Sequence, residues 1–454
     1  MKTNLFEIIC LEVPALFILA VAIFLTTGRD SQAAQDPNEP PVGRPTLKIL
    51  PPPSGRLARA NVDEKSMRAT IEELVSCGTR DSISTWDDPK RGVGCGRDKI
   101  VARFTSTAKA TGGRLQIVVD RFQTKSARTP GVVPMENVYA ILPGVDAGLA
   151  KTAIVVSGHF DSIPSNPMDT KSDAPGADDD ASGVAVSLEC ARLLAGGSYR
   201  ATLVFAAVSG EEQGLLGGTR LLEYLRQNGY TVGAMLDNDI VGADFAPGAP
   251  HRVRLFSGGG PDGVDSPSRE LARAVEEIDG QAAVRLIFRH DRLGRGGDHQ
   301  PFVDAGLPAV RFTEPLEDYH HEHQTPRVEN GLEFGDQIKY LNFEFLGTVA
   351  LDNAEVLREL ALAPAPPASV TISGGVTPDA KVAWTADADP ERAGFEVLWR
   401  ETTDPRWTVF DFTENAGETI LKGVSTDNHF FAVRSMGKNG ARTIARPAEL
   451  RRRQ

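Results

Sequence analysis

Hydrophobic positions follow two different rhythms along this chain. Between about residues 61 and 361, short continuous apolar runs alternate with stretches whose apolar residues recur at helical spacing. The runs 114–123, 136–142, 153–156, 202–208, 233–236, 252–256 and 309–312 read as strands. The stretches 97–109, 181–194, 215–225 and 267–278 read as helices, as does a segment capped by Asn61 or Asp63 that carries Met67, Ile71, Leu74 and Val75. Strands apolar on both faces that alternate with helices imply an α/β fold, a mostly parallel sheet with helices on both faces. From residue 369 the rhythm changes to short alternating runs, 370–372, 381–384, 395–400, 408–412, 419–422 and 429–435. Without helical spacing between them, these imply a small all-β sandwich.

Composition adds boundaries to this pattern. At 454 residues the chain is long for one core, which fits a large unit with an accessory. Lys2 precedes an apolar stretch, 13–25, of signal-peptide length, and Ser31 and Ala33 offer small residues for cleavage, so 1–33 reads as a signal peptide or an uncleaved N-terminal anchor. The expected location is therefore periplasmic or extracellular, with membrane attachment only if this segment is retained. Residues 34–60 form a Pro-rich linker, 61–361 the large unit, and 362–368 a second linker with Pro364, Pro366 and Pro367. The sandwich spans 369–448, and 449–454 form a basic tail ending in Arg451, Arg452 and Arg453. A formal charge of −12 and the lack of any larger basic patch argue against a nucleic-acid partner. In an oxidising compartment Cys77 and Cys95, which flank a short loop, form the natural disulfide. No Cys pair has metal-site spacing, so a metal would be held by oxygen and imidazole.

In a parallel sheet ligands bind beyond the carboxyl ends of the strands, and the residues with chemistry fall there. His159 and Asp161 follow the third run, and Asp178, Asp179 and Asp180 stand at a helix entry. Glu211 and Glu212 follow the fourth run, Asp237 and Asp239 the fifth, and His320, His321 and His323 the last. Three adjacent carboxylates need a positive partner, either the helix N-terminus or a cation. Two imidazoles with four or five carboxylates on one rim suit zinc, and exceed what one ion needs. A shared carboxylate could bridge two ions about 3.5 to 4 Å apart. Neighbouring side chains point different ways, so one of Glu211 and Glu212 can ligate while the other moves a proton.

Six ordered motifs carry a resemblance. HFDS at His159, PGADDDASG at Pro175, GEEQGLLGG at Gly210, DNDIVG at Asp237, GGDHQPF at Gly296 and the His323 segment resemble the di-zinc aminopeptidase family, which includes secreted aminopeptidases, glutamate carboxypeptidases and glutaminyl cyclases. The resemblance covers roughly 62–361. It implies two Zn²⁺ ions and a peptide substrate, with Asp179 bridging, His159 and Asp239 completing one site, and Glu212 and His323 the other. By the same likeness Glu211 is the general base, and Asp161 holds the unligated nitrogen of His159. Where some members carry an oxyanion-donating Tyr, this chain has Arg292 and Arg295, which could stabilise an oxyanion or bind a substrate carboxylate; His299 is a structural or substrate-facing neighbour. The implied activity is an aminopeptidase. A carboxypeptidase or dipeptidase, a one-zinc glutaminyl cyclase and a non-catalytic binding or adhesion protein are the alternatives. The last eighty residues resemble a fibronectin type III domain, with Trp384 in its core and Phe431 and Val433 on a later strand.

Overall fold

Residues 55–244, 252–259, 265–279 and 283–450 are described by a computed structural model. The export segment 1–33, most of the 34–60 linker and Arg451 to Arg453 lie outside these residues. Among the described residues no helix is long and apolar enough to cross a membrane.

From edge to edge the large sheet runs β1 (Gln116–Thr124), β2 (Val133–Leu142), β4 (Thr202–Val208), β3 (Thr152–His159), β5 (Thr231–Asn238), β8 (Ala309–Thr313), β6 (Val253–Phe256) and β7 (Val284–Ile287). The helices are α1 (Glu64–Val75), α2 (Val93–Ala110), α3 (Ala181–Leu194), α4 (Leu216–Gln227), α5 (Pro267–Asp279), α6 (Gln300–Asp304) and α7 (Phe343–Leu362). Alternation along the strands divides the core between the two faces. Ile154, Val156, Leu203, Phe205 and Leu236 meet Ile71 of α1, Val184 of α3, Val275 of α5 and Val349 of α7 on one face. Ala153, Val155, Val204 and Met235 meet Leu221 and Leu225 of α4 and Phe302 of α6 on the other.

The sheet is mixed, with a parallel centre. β4, β3, β5 and β8 are mutually parallel, and β6 pairs parallel with β7. The pairings β1–β2, β2–β4 and β6–β8 are antiparallel. The strands that carry the chemistry all belong to the parallel centre, so their carboxyl ends share one rim. Several elements have no counterpart in the sequence pattern: α6, β7, α7 and the short pair Arg327–Glu329 and Leu332–Phe334. β7 has only four residues and is largely half-buried, which hides its period. In α7 the apolar face is interrupted by buried Asp352, Asn353 and Glu359, and Asn353 exchanges amide hydrogen bonds of 2.9 and 3.0 Å with Asn238 at the end of β5.

α2 begins before the expected residue 97, so that Cys95 lies in its first turn, bonded to Cys77 just beyond α1. The bond closes a loop of 18 residues and ties together the first two helices. Replacing both cysteines by serine should cost about 3 kcal/mol, since the unfolded chain regains the closure entropy. Denaturant unfolding of oxidised protein and the double variant checks this; coincident midpoints would contradict it.

The C-terminal strands are β11 (Ser369–Ser373), β12 (Ala380–Thr385), β13 (Arg392–Glu401), β14 (Thr408–Thr413), β15 (Glu418–Leu421), β16 (His429–Gly437), β17 (Arg446–Pro447) and β18 (Glu449–Leu450). β9 (Arg327–Glu329) and β10 (Leu332–Phe334) form a hairpin beside the large sheet. The C-terminal strands make two four-stranded sheets, β15-β12-β11-β18 and β14-β13-β16-β17, around Val382, Trp384, Phe395, Val397, Phe431 and Val433. Glu449 and Leu450, expected in the tail, instead pair with β11. Ion pairs fasten these sheets to α5 and the turn before it: Arg400 reaches Asp265 at 2.7 and 2.8 Å, Arg406 reaches Glu276, and Arg434 reaches Glu277. Trp407 adds an indole hydrogen bond of 2.6 Å to Glu270.

Candidate metal centre

Backbone geometry brings the rim residues together. β3 ends at His159, and α3 begins against it with almost no space between the chains. A Cβ on Gly158 would lie 2.3 Å from the carbonyl carbon of Gly183, and one on Gly183 would lie 2.0 Å from the carbonyl oxygen of Asn238. Only glycine fits at these two positions, and their contact seats the start of α3 on the ends of β3 and β5. Asp180 caps the helix: its carboxylate accepts from Gly183 N at 2.9 Å and also from His159 N at 2.9 Å. Asp178 accepts from Gly242 N at 2.7 Å. Both flanking acids are thus used on backbone amides, as loop and cap residues, and Asp179 alone of the three turns inward.

Asp179 faces both imidazoles. Its Oδ1 lies 3.1 Å from His159 Nε2, and its Oδ2 lies 2.9 Å from His323 Nε2. Glu212 Oε1 is also 2.9 Å from His323 Nε2, and Asp239 Oδ1 is 3.7 Å from His159 Nε2. Three donor groups result: His159–Asp179–Asp239 and Asp179–Glu212–His323, which share Asp179, and His159–Glu211–Glu212. His159 Nε2 and Glu212 Oε1 are buried and, despite these short approaches, make no aligned hydrogen bond. Nitrogen and oxygen donors that converge without an aligned hydrogen bond between them are what a cation requires. The donors are imidazole nitrogen and carboxylate oxygen without thiolate, a set that fits zinc.

Electrostatics agree. Glu212 and Asp179 raise the His323 imidazole to about 12 against the opposing effect of burial. Burial disfavours a charged His159, yet Asp161, Asp179 and Asp239 outweigh it and hold the imidazole well above its ordinary range. Protons on the two imidazoles are thus drawn to where the carboxylates demand positive charge, and an ion there would satisfy the same demand. Burial, reinforced by Glu212, Asp239 and Asp298, lifts the Glu211 carboxyl well above the usual range although His159 opposes it.

The surrounding residues sort the sequence expectations. His159 Nδ1 meets Asp161 at both its backbone oxygen, 3.2 Å, and its Oδ1, 3.4 Å. The Asp161 carboxylate also accepts from the amides of Glu211 and Glu212 at 3.4 and 3.2 Å, a task the sequence did not suggest. Asp237 faces away from the group, toward Ser157 Oγ and the ring of His299. His320 pairs with Asp318, and His321 stacks on Tyr340 with ring centroids 3.6 Å apart, which leaves His323 as the imidazole of the centre. His299 is wholly buried, with Nε2 on the carbonyl of His290; it has no face open to a substrate, and its role is structural. Arg292 corrects a second expectation, because its guanidinium is 8% exposed and taken up by Asp291, Glu317 and Gly296 O. Arg295 retains more surface, 27%, but already pairs with Glu317 and Glu322.

Three important residues escaped the sequence reading. Arg311 of β8 is fully buried and forms an ion pair with Asp239 Oδ2 at 2.9 Å, so it neutralises the oxygen of that candidate ligand which is not the one facing His159. A lone arginine within an apolar strand was the available signal. Arg80, also fully buried, donates to the carbonyls of Phe160, Pro175 and Gly176 at 2.6, 2.6 and 2.8 Å, clamping the loop after His159 to the loop before Asp179. Asp336 accepts from the amides of Asp178 and Asp179 at 2.8 to 2.9 Å. Nothing local marks either of these last two.

Comparison with known proteins gives this geometry a family. The model of peptidase family M28 matches residues 137–332. A Pyrenophora tritici-repentis protein named probable zinc metalloprotease is 37% identical over 428 residues, covering 88% of each chain. A Leptosphaeria maculans protein also named a probable zinc metalloprotease is 38% identical over 408 residues, covering 85% of this chain and 94% of its own. The chain belongs to the M28 family of zinc metallopeptidases. Its M28 fold recurs in the Legionella pneumophila aminopeptidase LapA, at 19% identity and TM-score 0.51 over 67% of this chain and 73% of that one. The Fimbriiglobus ruber glutaminyl cyclase shares it at 17% identity and TM-score 0.50, over 69% and 99%.

Proposed function

We propose that this M28 chain is an exported aminopeptidase that works with two zinc ions. The observation that carries the reading is Asp179, whose two oxygens face two separate imidazoles, each with a further carboxylate. That arrangement supports two ions, and so a peptidase over a one-zinc cyclase. His159, Asp179 and Asp239 would hold one ion, and Asp179, Glu212 and His323 the other. Zinc bound there acidifies water and polarises the scissile carbonyl. Glu211, its amide fixed by Asp161, takes the proton of the attacking water and delivers it to the departing amine, so that the C–N bond breaks as the carboxylate product forms. A raised carboxyl pKa suits a group that must both accept and return a proton.

Arg295 would be the anchor for a substrate carboxylate in a carboxypeptidase, but Glu317 and Glu322 already match its charge. The aminopeptidase reading is therefore preferred. The Cys77–Cys95 bond supports export to an oxidising compartment. We read the two small sheets as a fibronectin type III-like accessory.

Hydrolysis of free, N-blocked and C-blocked dipeptides by the zinc-loaded protein tests the reading. Free and C-blocked peptides should be cleaved and N-blocked ones spared. Cleavage confined to N-blocked peptides would make it a carboxypeptidase, and one tightly held zinc per chain would refute the two-ion centre.

A further inference from the structure

A recess of about 400 Å³ is walled by residues one position before Asp179 and His323 in the chain, though those two do not line it themselves. Asp178 and Glu322, which immediately precede those two residues, line it together with Glu314 and Asp336. Most of this acid is already engaged. Asp178, Glu314 and Asp336 accept from the backbone amides of Gly242, Ala243, Asp178 and Asp179. Glu322 differs. It is 6% exposed, its Oε2 pairs with Arg295 at 3.2 Å, and its Oε1 is buried with no hydrogen-bond partner. Leu316, Tyr319, Tyr340, His320 and His321 also line it; Leu316 and Tyr319 are largely exposed, with Arg295 over one side of the Tyr319 ring at 5.7 Å.

The recess suits an organic cation better than a metal ion. A hard divalent ion such as Ca²⁺ or Mg²⁺ needs six or more oxygens drawn together around it, whereas the oxygens here mostly accept from backbone amides. An ammonium or guanidinium on an apolar stem needs one or two acceptors, aromatic faces and cover for its methylenes. Glu322 Oε1, the exposed Tyr319 and Leu316 supply these, whereas the Tyr340 ring is already stacked on His321. An uncharged group entering the recess would leave Glu322 Oε1 buried and unpaired.

We propose that this recess receives a lysine or arginine side chain of the peptide next to the scissile bond, with Glu322 as its specificity-determining residue. The proposal rests on the peptidase reading for its biological meaning, but its test includes a measurement that turnover does not enter. Lysyl and norleucyl 4-nitroanilides have stems of similar length and differ in the charge. The zinc-loaded protein should hydrolyse the lysyl compound with at least a tenfold higher kcat/KM. In parallel, calorimetry should show lysinamide binding more tightly than norleucinamide by a similar factor. In Glu322→Gln both ratios should fall toward one, with zinc content measured on the same samples, and in Tyr319→Leu they should shrink in part. Equal binding of the two amides by the unmodified protein would overturn the proposal, as would a lysine preference that survives in Glu322→Gln. Lysine-selective binding without hydrolysis would uphold the recess and remove the aminopeptidase reading instead.

Discussion

Glu211→Gln should lower peptide hydrolysis by about 10²- to 10⁴-fold, the usual contribution of a positioned general base. Glutamine keeps the size of the side chain, and the backbone amide at 211 still donates to Asp161, so the turn carrying Glu212 should persist. Neither of the two donor groups centred on Asp179 includes Glu211. Zinc content should therefore stay near that of the unmodified protein, while kcat falls much more than KM changes. Metal analysis and steady-state kinetics on the same preparation distinguish the outcomes. Loss of zinc along with activity would make Glu211 a ligand, and full activity would remove it from the mechanism.

Arg80→Met should act on the centre from outside it. The guanidinium satisfies three buried carbonyls, and Asp336, Asp161, Asp180 and Asp179 stand close enough to favour its charge although burial lowers its pKa to about 10. Methionine fills much of the space but leaves those carbonyls without donors and the acids without a cation. Removing one partner of a buried charged network costs about 3 to 5 kcal/mol. Loss of a group that orients metal ligands typically weakens metal affinity about 10- to 100-fold. Competition with a chelator should show that weakening, and denaturant unfolding the lost stability. Unchanged zinc affinity would mean that the loops after His159 and before Asp179 hold their places without the clamp.

The contrast between these two residues shows what the sequence makes legible. His159, Asp179, Glu212, Asp239 and His323 could be found because each lies on or after the end of an apolar run, and the parallel centre of a sheet gathers such ends on one side. Strand alternation cannot separate Asp237 from Asp239, since residues two apart share a face of a strand. The DNDIVG motif favours Asp239, which lies just past the end of β5, while Asp237, still in the strand, turns toward Ser157 and His299. Arg80 acts on loops about 80 and 95 residues further along, and Asp336 on amides about 158 residues before it. Such pairings exist only once the sheet has formed, and no local period announces them. For Arg292, and for the choice between the two roles left open for His299, a motif shows that a polar side chain is near the rim, but not whether neighbours such as Glu317 or the His290 carbonyl have already claimed it. The helix α7 was hidden because its buried face includes polar residues that bond to the sheet's interior.

The glycine seat beneath α3 bears on how this protein can diverge. Around the rim, the walls of the recess can change one side chain at a time and alter what is bound while the centre remains. At Gly158 and Gly183 the nearest opposing atom is backbone, so trimming a neighbouring side chain would not make room. Freedom to vary is therefore set less by distance from the zinc than by whether the facing partner is a side chain or the main chain. New specificities can arise within a few ångströms of the reaction, while the two glycines behind it stay fixed.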